Sequence, residues 1–505
     1  MMNIAFYTLL LCVISLVSCK PYPDVLKFHY SDTESGVVRS AINAKSSLKF
    51  EPIIDKNFSA IRSGMPLVTV VNKEPIMYLQ SKKEKTLLAY NLKDREVLWS
   101  SGSYFRMRGT GVISKKHKKI YNLSGGLDMS KGYEHHLHQT NLDGKNFKSI
   151  RVNFAKVAKM QKVSMIDWSH RIHCKTSLLL KKVGDSDYLY FACSRGRSQQ
   201  NKNTTNYKDK RGVSGIVLRY KLKSNGDLPD NYDKHFLTSP IRAKPETGFD
   251  TGVYNLGAQI TSYKNSLLLA TGNGPVSFRN DNYGCSIIKL NDDLTVFKKN
   301  GRKQVISIYG DNSSKCWDSN NEFTNSPPNI LRLRSNKFLA VSYTKFGELF
   351  YFDPDNFDEK FSPPKKIKLG GWRNYGKVLS ASMGGSTFIY LINFDNSKGH
   401  IPGVYSFKYD LLTKEFKKHW HYKLAKDYIP SRFHPVIIYD RKVKHGVLMF
   451  SAHNRNDEKV KSSEVHFIDI KNGKLLSQRE IKGEPHFSTF MIHGKYLAVT
   501  TKNHG

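Results

Sequence analysis

One short element recurs along this chain and restricts its fold more than any other feature. An apolar strand ends in Asn or Asp, and a polar turn then leads into a second strand. The clearest copies are Leu87-Leu88-Ala89-Tyr90-Asn91 and Val465-His466-Phe467-Ile468-Asp469. Weaker copies end at Asn141, within 220–226, and at Asn291, Asp353 and Asp410. Asn or Asp suits this place because its side chain can accept a hydrogen bond from the backbone two residues on, which closes a tight turn.

The spacing of these copies predicts a β-propeller. Neighbouring copies lie about 50 to 80 residues apart, as a four-stranded blade with long loops requires. Seven copies are visible, and strands predicted at 487–492 and 496–501 would complete an eighth blade with strands near the N-terminus. We therefore predict an all-β chain with a single propeller of antiparallel four-stranded blades over residues 61–505, preceded by a segment, 20–60, that leads into the ring. Eight blades are preferred and seven are possible; two β-sandwiches in tandem are the alternative.

The first residues predict export. Residues 4–17 form one apolar run that is too short to span a bilayer, and small residues follow it, so we place a signal peptide at 1–19. Leu16-Val17-Ser18-Cys19 resembles a bacterial lipobox, in which Cys19 would carry the lipid. Ordinary cleavage near Cys19 would instead release a secreted or periplasmic protein. Both alternatives stay open.

Four cysteines follow the predicted leader and suit an oxidising compartment. Four cysteines allow three pairings, and the local one, Cys174–Cys193 with Cys285–Cys316, is the simplest. It would join neighbouring strands near residues 176–192. Four buried free thiols are the alternative. The cysteines and histidines show no zinc-site spacing.

The charge of the chain predicts anionic partners. The sequence has 80 Lys and Arg residues against 43 Asp and Glu, a formal net charge of +37. A charge of this size attracts anionic surfaces over long distances. We expect an anionic polymer, a membrane surface or a protein assembly partner, bound by a monomeric ring. Specific nucleic-acid binding is not expected, because no known reading motif is present.

The basic residues occur in local clusters at predicted turns and outer strands. These clusters are Lys82, Lys83 and Lys85; Lys115 to Lys119; Lys298, Lys299, Arg302 and Lys303; Lys365, Lys366 and Lys368; Lys417 and Lys418; and Arg441, Lys442 and Lys444. A propeller would distribute them around its rim or across one face. A generally cationic surface with no specific partner is the alternative.

Histidines form a short run at His135-His136-Leu137-His138. Successive side chains of a strand point to opposite faces, so all three imidazoles cannot converge on one metal. We interpret this run as a solvated strand edge.

Three parts of the sequence, Trp99, residues 252–275 and residues 322–327, point to one known family. Trp99 lies eight residues after Asn91, and this spacing resembles that of the docking tryptophan in the quinoprotein (PQQ-type) alcohol dehydrogenases, which are eight-bladed propellers. Residues 252–258 (GVYNLGA) and 267–275 (LLLATGNGP) resemble the segment around the family's Thr-Gly-Asn motif. Residues 322–327 (EFTNSP) resemble the Asp-Phe-Gly-x-Ser-Pro passage of the polyvinyl-alcohol dehydrogenase branch.

The resemblance implies a site for PQQ and Ca²⁺. Asn273, flanked by Gly272 and Gly274, would contact the cofactor, and Asn273 and Asp318 would be calcium ligands. Asp318 and Glu322 would supply the catalytic carboxylates, including the base that removes the alcohol proton. The chain departs from the family pattern at Glu322, where the family has Asp, and no two of its cysteines are adjacent. A strand-ending turn is the alternative for residues 271–274.

Two functions remain. The first is an exported, quinoprotein-like binding or scaffold protein with a strongly basic surface. The second is a divergent PQQ- and Ca-dependent alcohol dehydrogenase, an oxidoreductase. The first is preferred, because the recognised motifs keep fold-forming residues better than residues that carry chemistry.

Overall fold

A computed structural model shows the architecture of the chain. It describes residues 37–39, 66–80, 85–102, 109–128, 132–160, 172–174, 176–195, 215–239, 253, 260–272, 274, 276–313, 315–318, 323, 327–333, 337–369, 378–394, 401–431, 434–440, 445–456, 460–485, 490–493, 496–499 and 501–502. The predicted leader, with Cys19, lies outside the described residues. Among the helices that are described, none is long and apolar enough to cross a membrane.

The described strands form a β-propeller of seven four-stranded antiparallel blades, numbered here in chain order. Blades 1 to 3 are Leu67–Val71, Glu74–Gln80, Leu87–Asn91 and Glu96–Ser101; Val112–Ser114, Lys119–Asp128, Gly132–Asn141 and Lys148–Arg151; and Leu179–Val183, Ser186–Arg195, Ile216–Lys221 and Lys234–Leu237. Blades 4 and 5 are Thr261–Tyr263, Ser266–Ala270, Ser286–Asn291 and Val305–Ser307; and Asn329–Arg332, Phe338–Tyr343, Glu348–Phe352 and Lys365–Lys368. Blades 6 and 7 are Leu379–Met383, Ser386–Asn393, Gly403–Asp410 and Glu415–Lys423; and Val436–Asp440, His445–Asn454, Ser462–Asp469 and Leu475–Lys482.

Short elements decorate the blades. Ile172–Cys174 adds to blade 3, and Val37–Arg39 and Tyr428–Pro430 add to blade 7. Four small two-stranded sheets pair Val276–Ser277 with Asn282–Tyr283, Lys298–Lys299 with Arg302–Lys303, Glu484–Pro485 with Thr501–Lys502, and Met491–His493 with Tyr496–Ala498. The helical segments are Ala155–Met160, Phe278–Asn280 and Lys315–Asp318.

Burial separates the inner from the outer strands. The first strand of blade 2, Val112–Ser114, is buried throughout. The fourth strand of blade 5, Lys365–Lys368, is exposed at every position except Ile367, which is half-buried. Apolar residues of adjacent blades form shared cores, such as the one that Phe191 of blade 3 and Leu137 of blade 2 both join. The cores therefore lie between blades, and each blade depends on its neighbours to cover its apolar face.

The predicted fold class is confirmed, with seven blades rather than the preferred eight. Each repeat copy marks the end of the third strand of one blade, so seven copies correspond to seven blades. The strands predicted for an eighth blade form the hairpin Met491–His493 and Tyr496–Ala498. Within the described residues this hairpin stays two-stranded: it packs on the core of blade 7 and contacts the first strand of blade 1.

The polar turn that follows the third strand has the predicted geometry in four blades. The Oδ1 atoms of Asn91, Asp353, Asp410 and Asp469 each accept a hydrogen bond from the amide two residues on, at 2.8–2.9 Å. This bond fixes the direction in which the turn leaves the sheet. We call the segment from this Asn or Asp to the start of the fourth strand the rim turn of its blade.

Tyrosines of the second strand join each of several blades to the rim turn of the next. Their hydroxyls donate to backbone carbonyls, so each buried hydroxyl has a hydrogen-bond acceptor. These pairs are Tyr121 with Gly226 at 2.6 Å, Tyr190 with Asp292 at 2.8 Å and Tyr390 with Ile470 at 3.2 Å.

Two tryptophans of outer strands dock on glycines of the following blade. Trp99 lies against Gly144, where an added Cβ would come within 2.7 Å of the indole ring. Trp420 lies against Gly473 in the same way, and its Nε1 donates to the Ile470 carbonyl at 3.1 Å. Trp420 comes ten residues after Asp410, whereas Trp99 comes eight residues after Asn91, and Trp420 pairs with Ser406 across the sheet.

Both predicted disulfides are confirmed. Cys174 and Cys193 face each other on paired strands of blade 3. Cys285, just before the third strand of blade 4, is bonded to Cys316 in the helix Lys315–Asp318. Disulfides are typical of proteins that fold in an oxidising compartment.

Candidate functional site

The Thr-Gly-Asn segment lies where the second strand of blade 4 ends. Thr271 is buried, and its hydroxyl bonds with the backbone carbonyl of Ser286 at 3.1 Å. The Gly272 carbonyl accepts the Cys285 amide at 2.7 Å. This segment is therefore part of the hydrogen-bonded framework of the blade.

The second disulfide brings the predicted acidic segment close to Gly272. The Sγ of Cys316 lies 4.0 Å from the Gly272 carbonyl oxygen, so the helix Lys315–Asp318 sits beside the Thr-Gly-Asn segment. Asn273, Glu322 and the side chain of Asp318 lie outside the described residues, while Gly272 and Gly274 lie within them. The PQQ and Ca²⁺ site therefore stays a prediction. No group of three His, Cys, Asp or Glu side chains suitable for a metal occurs in the described part of the chain.

The histidine run of blade 2 is buried, so its interpretation as a solvated strand edge was wrong. His135 and His138 are both buried, on opposite faces of the strand. His138 Nε2 lies 2.6 Å from the Ser124 hydroxyl. Burial, with a smaller contribution from the neighbouring His136, lowers the pKa of His138 to about 3. This imidazole is neutral at pH 7 and packs as part of the core.

A second buried histidine lies between blades 6 and 7. His466 Nδ1 lies 3.0 Å from the Tyr422 hydroxyl, and Nε2 lies 3.2 Å from a carboxylate oxygen of Glu464. Burial lowers the pKa of His466 to about 4. The Tyr422 contact crosses from the outer strand of blade 6 to blade 7, so this histidine belongs to the interface that holds the two blades together.

A cavity of about 1010 Å³ between blades 1, 2 and 3 is lined by several cationic side chains, but acids neutralise much of its charge. Lys119 forms an ion pair with Asp227. Lys148 Nζ lies 3.1 Å from a carboxylate oxygen of Asp230. These ion pairs join blade 2 to blade 3 and offset part of the positive charge of the cavity lining.

Among the described residues, a large excess of positive charge lies on the outer edges of blades 4, 5 and 6. Residues 298–303, 360–368 and 411–423 together contain twelve Lys and Arg residues and one acidic residue, Glu415. We call these three segments the basic rim. Most of their cationic side chains are exposed, as the sequence clusters predicted.

Direct contacts join the three segments into one surface. The guanidinium of Arg302, from blade 4, lies 3.8 Å from the ring centre of Phe361, which precedes the outer strand of blade 5. Lys365 Nζ, on that outer strand, donates to the Thr413 and Lys414 carbonyls of blade 6 at 3.3 and 3.2 Å. The basic rim is therefore continuous across three neighbouring blades.

Exposed aromatic and aliphatic side chains interrupt this cationic surface. Phe361 is 59% exposed, Leu411 is 45% exposed and Leu412 is 93% exposed. Charge clusters in the sequence indicated the cationic part of the surface. The apolar part has no comparable signal, because an isolated Leu-Leu pair in a sequence is usually buried.

Comparisons with known proteins give structural likeness at low sequence identity and no family. No family model and no curated protein matches the chain. Among solved structures, one described as dihydro-heme d1 dehydrogenase NirN in complex with DHE is similar at 9% identity and a TM-score of 0.45, over 81% of this chain. This chain spans 64% of the length of that one.

Two further structures show the same level of likeness. A functionally unknown protein from Desulfotomaculum acetoxidans matches at 9% identity and a TM-score of 0.37, over 85% of this chain and 99% of that one. The β-propeller domain of Myceliophteria thermophila Cps50 (Swd1) matches at 10% identity and a TM-score of 0.38, over 77% and 92% of the two chains.

Proposed function

We propose that the protein is an exported propeller that binds an anionic partner through the basic rim. The observation that carries this proposal is the concentration of twelve cationic residues against one acid in the three adjoining segments of the basic rim. Asp281 and Asp410, which border the rim, form ion pairs with Lys303 and Lys417. Charges of one sign that share a surface add their potentials, so the rim attracts an extended anion more strongly than scattered lysines do.

The exposed position of the rim fits an extended partner. Its strands are the outermost of their blades, where a polymer or a surface can reach several lysines at once without entering a cavity. Lys side chains act as point charges and do not select a particular anion by bidentate geometry. Binding should therefore weaken steeply as salt screens these charges, since the Debye length is about 8 Å at physiological ionic strength.

Retention on immobilised heparin tests this proposal. The variant Lys298→Gln/Lys368→Gln/Lys414→Gln removes three exposed charges of the rim. The control variant Lys221→Gln/Lys223→Gln/Lys234→Gln removes three exposed charges from blade 3 and changes the net charge equally. Because each lysine near an anionic surface contributes about 1 kcal/mol, we expect the rim variant to lose most of its retention at 0.15 M salt (about physiological) and the control to lose little.

Equal losses in both variants would show that total charge, and not the rim, governs binding. No retention of the wild-type protein at low salt would overturn the proposed function.

A further inference from the structure

The rim turn of blade 6 departs from the pattern of the other blades. Two residues after the Asn or Asp, the turns of blades 1, 5 and 7 carry the charged residues Lys93, Asp355 and Lys471. Blade 6 carries Leu412 at that position, with Leu411 before it. The backbone hydrogen bond of the turn is the same, so the difference lies in the side chains alone.

Hydrogen bonds and an ion pair hold the backbone of the turn that carries the two leucines. Asp410 Oδ1 accepts the amides of Leu412 and Thr413 at 2.9 and 3.3 Å. Lys417 Nζ lies 2.7 Å from the other carboxylate oxygen of Asp410. Exposed Lys365 of blade 5 contacts the far side of the turn through the Thr413 carbonyl. The bonds to Asp410 hold the backbone of the turn in a conformation in which both leucines are exposed.

A second exposed apolar side chain lies on the same surface. Phe361 is 59% exposed, with the Arg302 guanidinium 3.8 Å and the Lys360 ammonium 5.2 Å from its ring centre. The loop that carries Phe361 leads within four residues to Lys365, which contacts the blade 6 turn. Exposed apolar side chains with cationic neighbours therefore occur in the blade 5 and blade 6 segments of the rim.

We propose that the basic rim docks on an anionic lipid surface, with Leu411 and Leu412 inserted among the headgroups. This proposal rests on the proposed function and names the class of its partner. A leaflet with anionic headgroups offers negative charge for the lysines and, just below it, an apolar layer for the leucines. A soluble polyanion offers the charge alone and would leave Leu412 in water.

Binding to vesicles tests the insertion. The probe is a phosphatidylcholine vesicle with about 30% phosphatidylserine, compared with pure phosphatidylcholine, because anionic lipid supplies the attraction for lysine. We expect the wild-type protein to sediment with the anionic vesicles and not with the neutral ones. Leu411→Asn/Leu412→Asn should weaken vesicle binding roughly tenfold to hundredfold, because burial of a leucine accounts for an effect of that size.

Matched variants separate insertion from charge. Leu98→Asn replaces another leucine that is 45% exposed, on the outer strand of blade 1, and should leave vesicle binding unchanged. Leu411→Asn/Leu412→Asn should keep full retention on heparin, whereas the rim lysine variant should lose both activities. A blue shift and quenching of Leu412→Trp fluorescence by brominated lipid would locate the tip in the bilayer.

Each other outcome overturns a different statement. Undiminished vesicle binding by the double Asn variant would overturn the insertion and leave the proposed function standing. Heparin retention without vesicle binding would assign the rim to a soluble polymer. If the wild-type protein bound neither heparin nor vesicles, the proposed function itself would be rejected. A dimer in sedimentation that Leu411→Asn/Leu412→Asn dissociates would assign the leucines to a second copy of this chain.

Discussion

The rim turns of blades 6 and 7 have the same backbone hydrogen bond but different surroundings. In blade 7 the apolar residue after the turn aspartate, Ile470, is buried, and its carbonyl accepts both Tyr390 and Trp420 of the preceding blade. In blade 6 the equivalent residue, Leu411, is 45% exposed, and the preceding blade reaches the turn through exposed Lys365.

The difference shows that the neighbour decides whether a rim turn is structural or available for binding. Blade 6 covers the turn of blade 7 with an indole ring and a phenol, so that turn belongs to a blade interface. Blade 5 offers the turn of blade 6 a flexible ammonium in solvent, which stabilises little. The same repeat therefore yields one closed turn and one open turn.

Removal of the covering ring should give the largest effect. Trp420→Ala deletes the indole that lies on Gly473 and leaves the Ile470 carbonyl with one donor fewer. We expect the free energy of unfolding to fall by about 3 kcal/mol, as for other large aromatic truncations. Urea denaturation measures it, with Phe361→Ala on the open rim as a control that should change it by less than about 0.5 kcal/mol. Equal losses in both variants would remove the distinction between the turns.

Acid should weaken the closed interface next. The pKa of His466 is about 4 in the folded protein and near 6.5 when unfolded. The unfolded state therefore binds more protons between these values, and stability falls as pH decreases through that window. We expect this histidine to cost about 2 kcal/mol at pH 5 relative to pH 7.

His466→Gln should reduce the pH dependence of unfolding by that amount, measured by urea titrations at both pH values. A variant of exposed His419 on the outer strand of blade 6, His419→Gln, serves as the control. An unchanged pH dependence in His466→Gln would contradict a neutral imidazole in this interface.

A single hydroxyl should have a smaller effect. Tyr390→Phe removes the hydrogen bond to the Ile470 carbonyl and keeps the ring, so we expect a loss of about 1 kcal/mol. Lys365→Met removes the exposed contacts to the open turn and should cost less than about 0.5 kcal/mol. Thermal unfolding of both variants measures the two losses of stability. A larger loss for Lys365→Met than for Tyr390→Phe would contradict this ranking.

Substitution in the open turn should change stability least. Leu412 is 93% exposed, so Leu412→Asn should alter the free energy of unfolding by less than about 0.5 kcal/mol in either direction. Calorimetric unfolding measures this quantity. A loss of several times that size would mean that Leu412 is covered in solution.

Periodicity allowed the blades to be predicted, because each repeat copy ends the third strand of one blade. Asn91 and Asp469 close their turns by the hydrogen bond that their residue type favours. The local pairing of the four cysteines was also predictable, since neighbouring strands bring Cys174 and Cys193 together. Features that depend on residues close together in the sequence can be predicted without knowledge of the tertiary structure.

Features that depend on contacts between distant residues could not be predicted. Trp420 pairs with Ser406, four residues before the turn aspartate, whereas Trp99 pairs with Ala89, two residues before Asn91, so a fixed spacing did not find Trp420. Burial of His138 depends on the neighbours that cover its strand, and its sequence gives no sign of them. The prediction of an eighth blade depended on whether the last strands of the chain belong to a four-stranded sheet. The repeat does not extend to those strands and does not specify this.

The parallel pairing of Val38 with Ile438 sets an order of events during synthesis. The partner follows 400 positions later, so at about 5–20 residues per second the N-terminal strand waits roughly 20 to 80 seconds before it can pair. The four strands of each blade are adjacent in sequence. Blade 7 alone, among the seven described, also takes a strand from residues 37–39, so a nascent ring that has lost this segment would show its defect only after the final blade has been made.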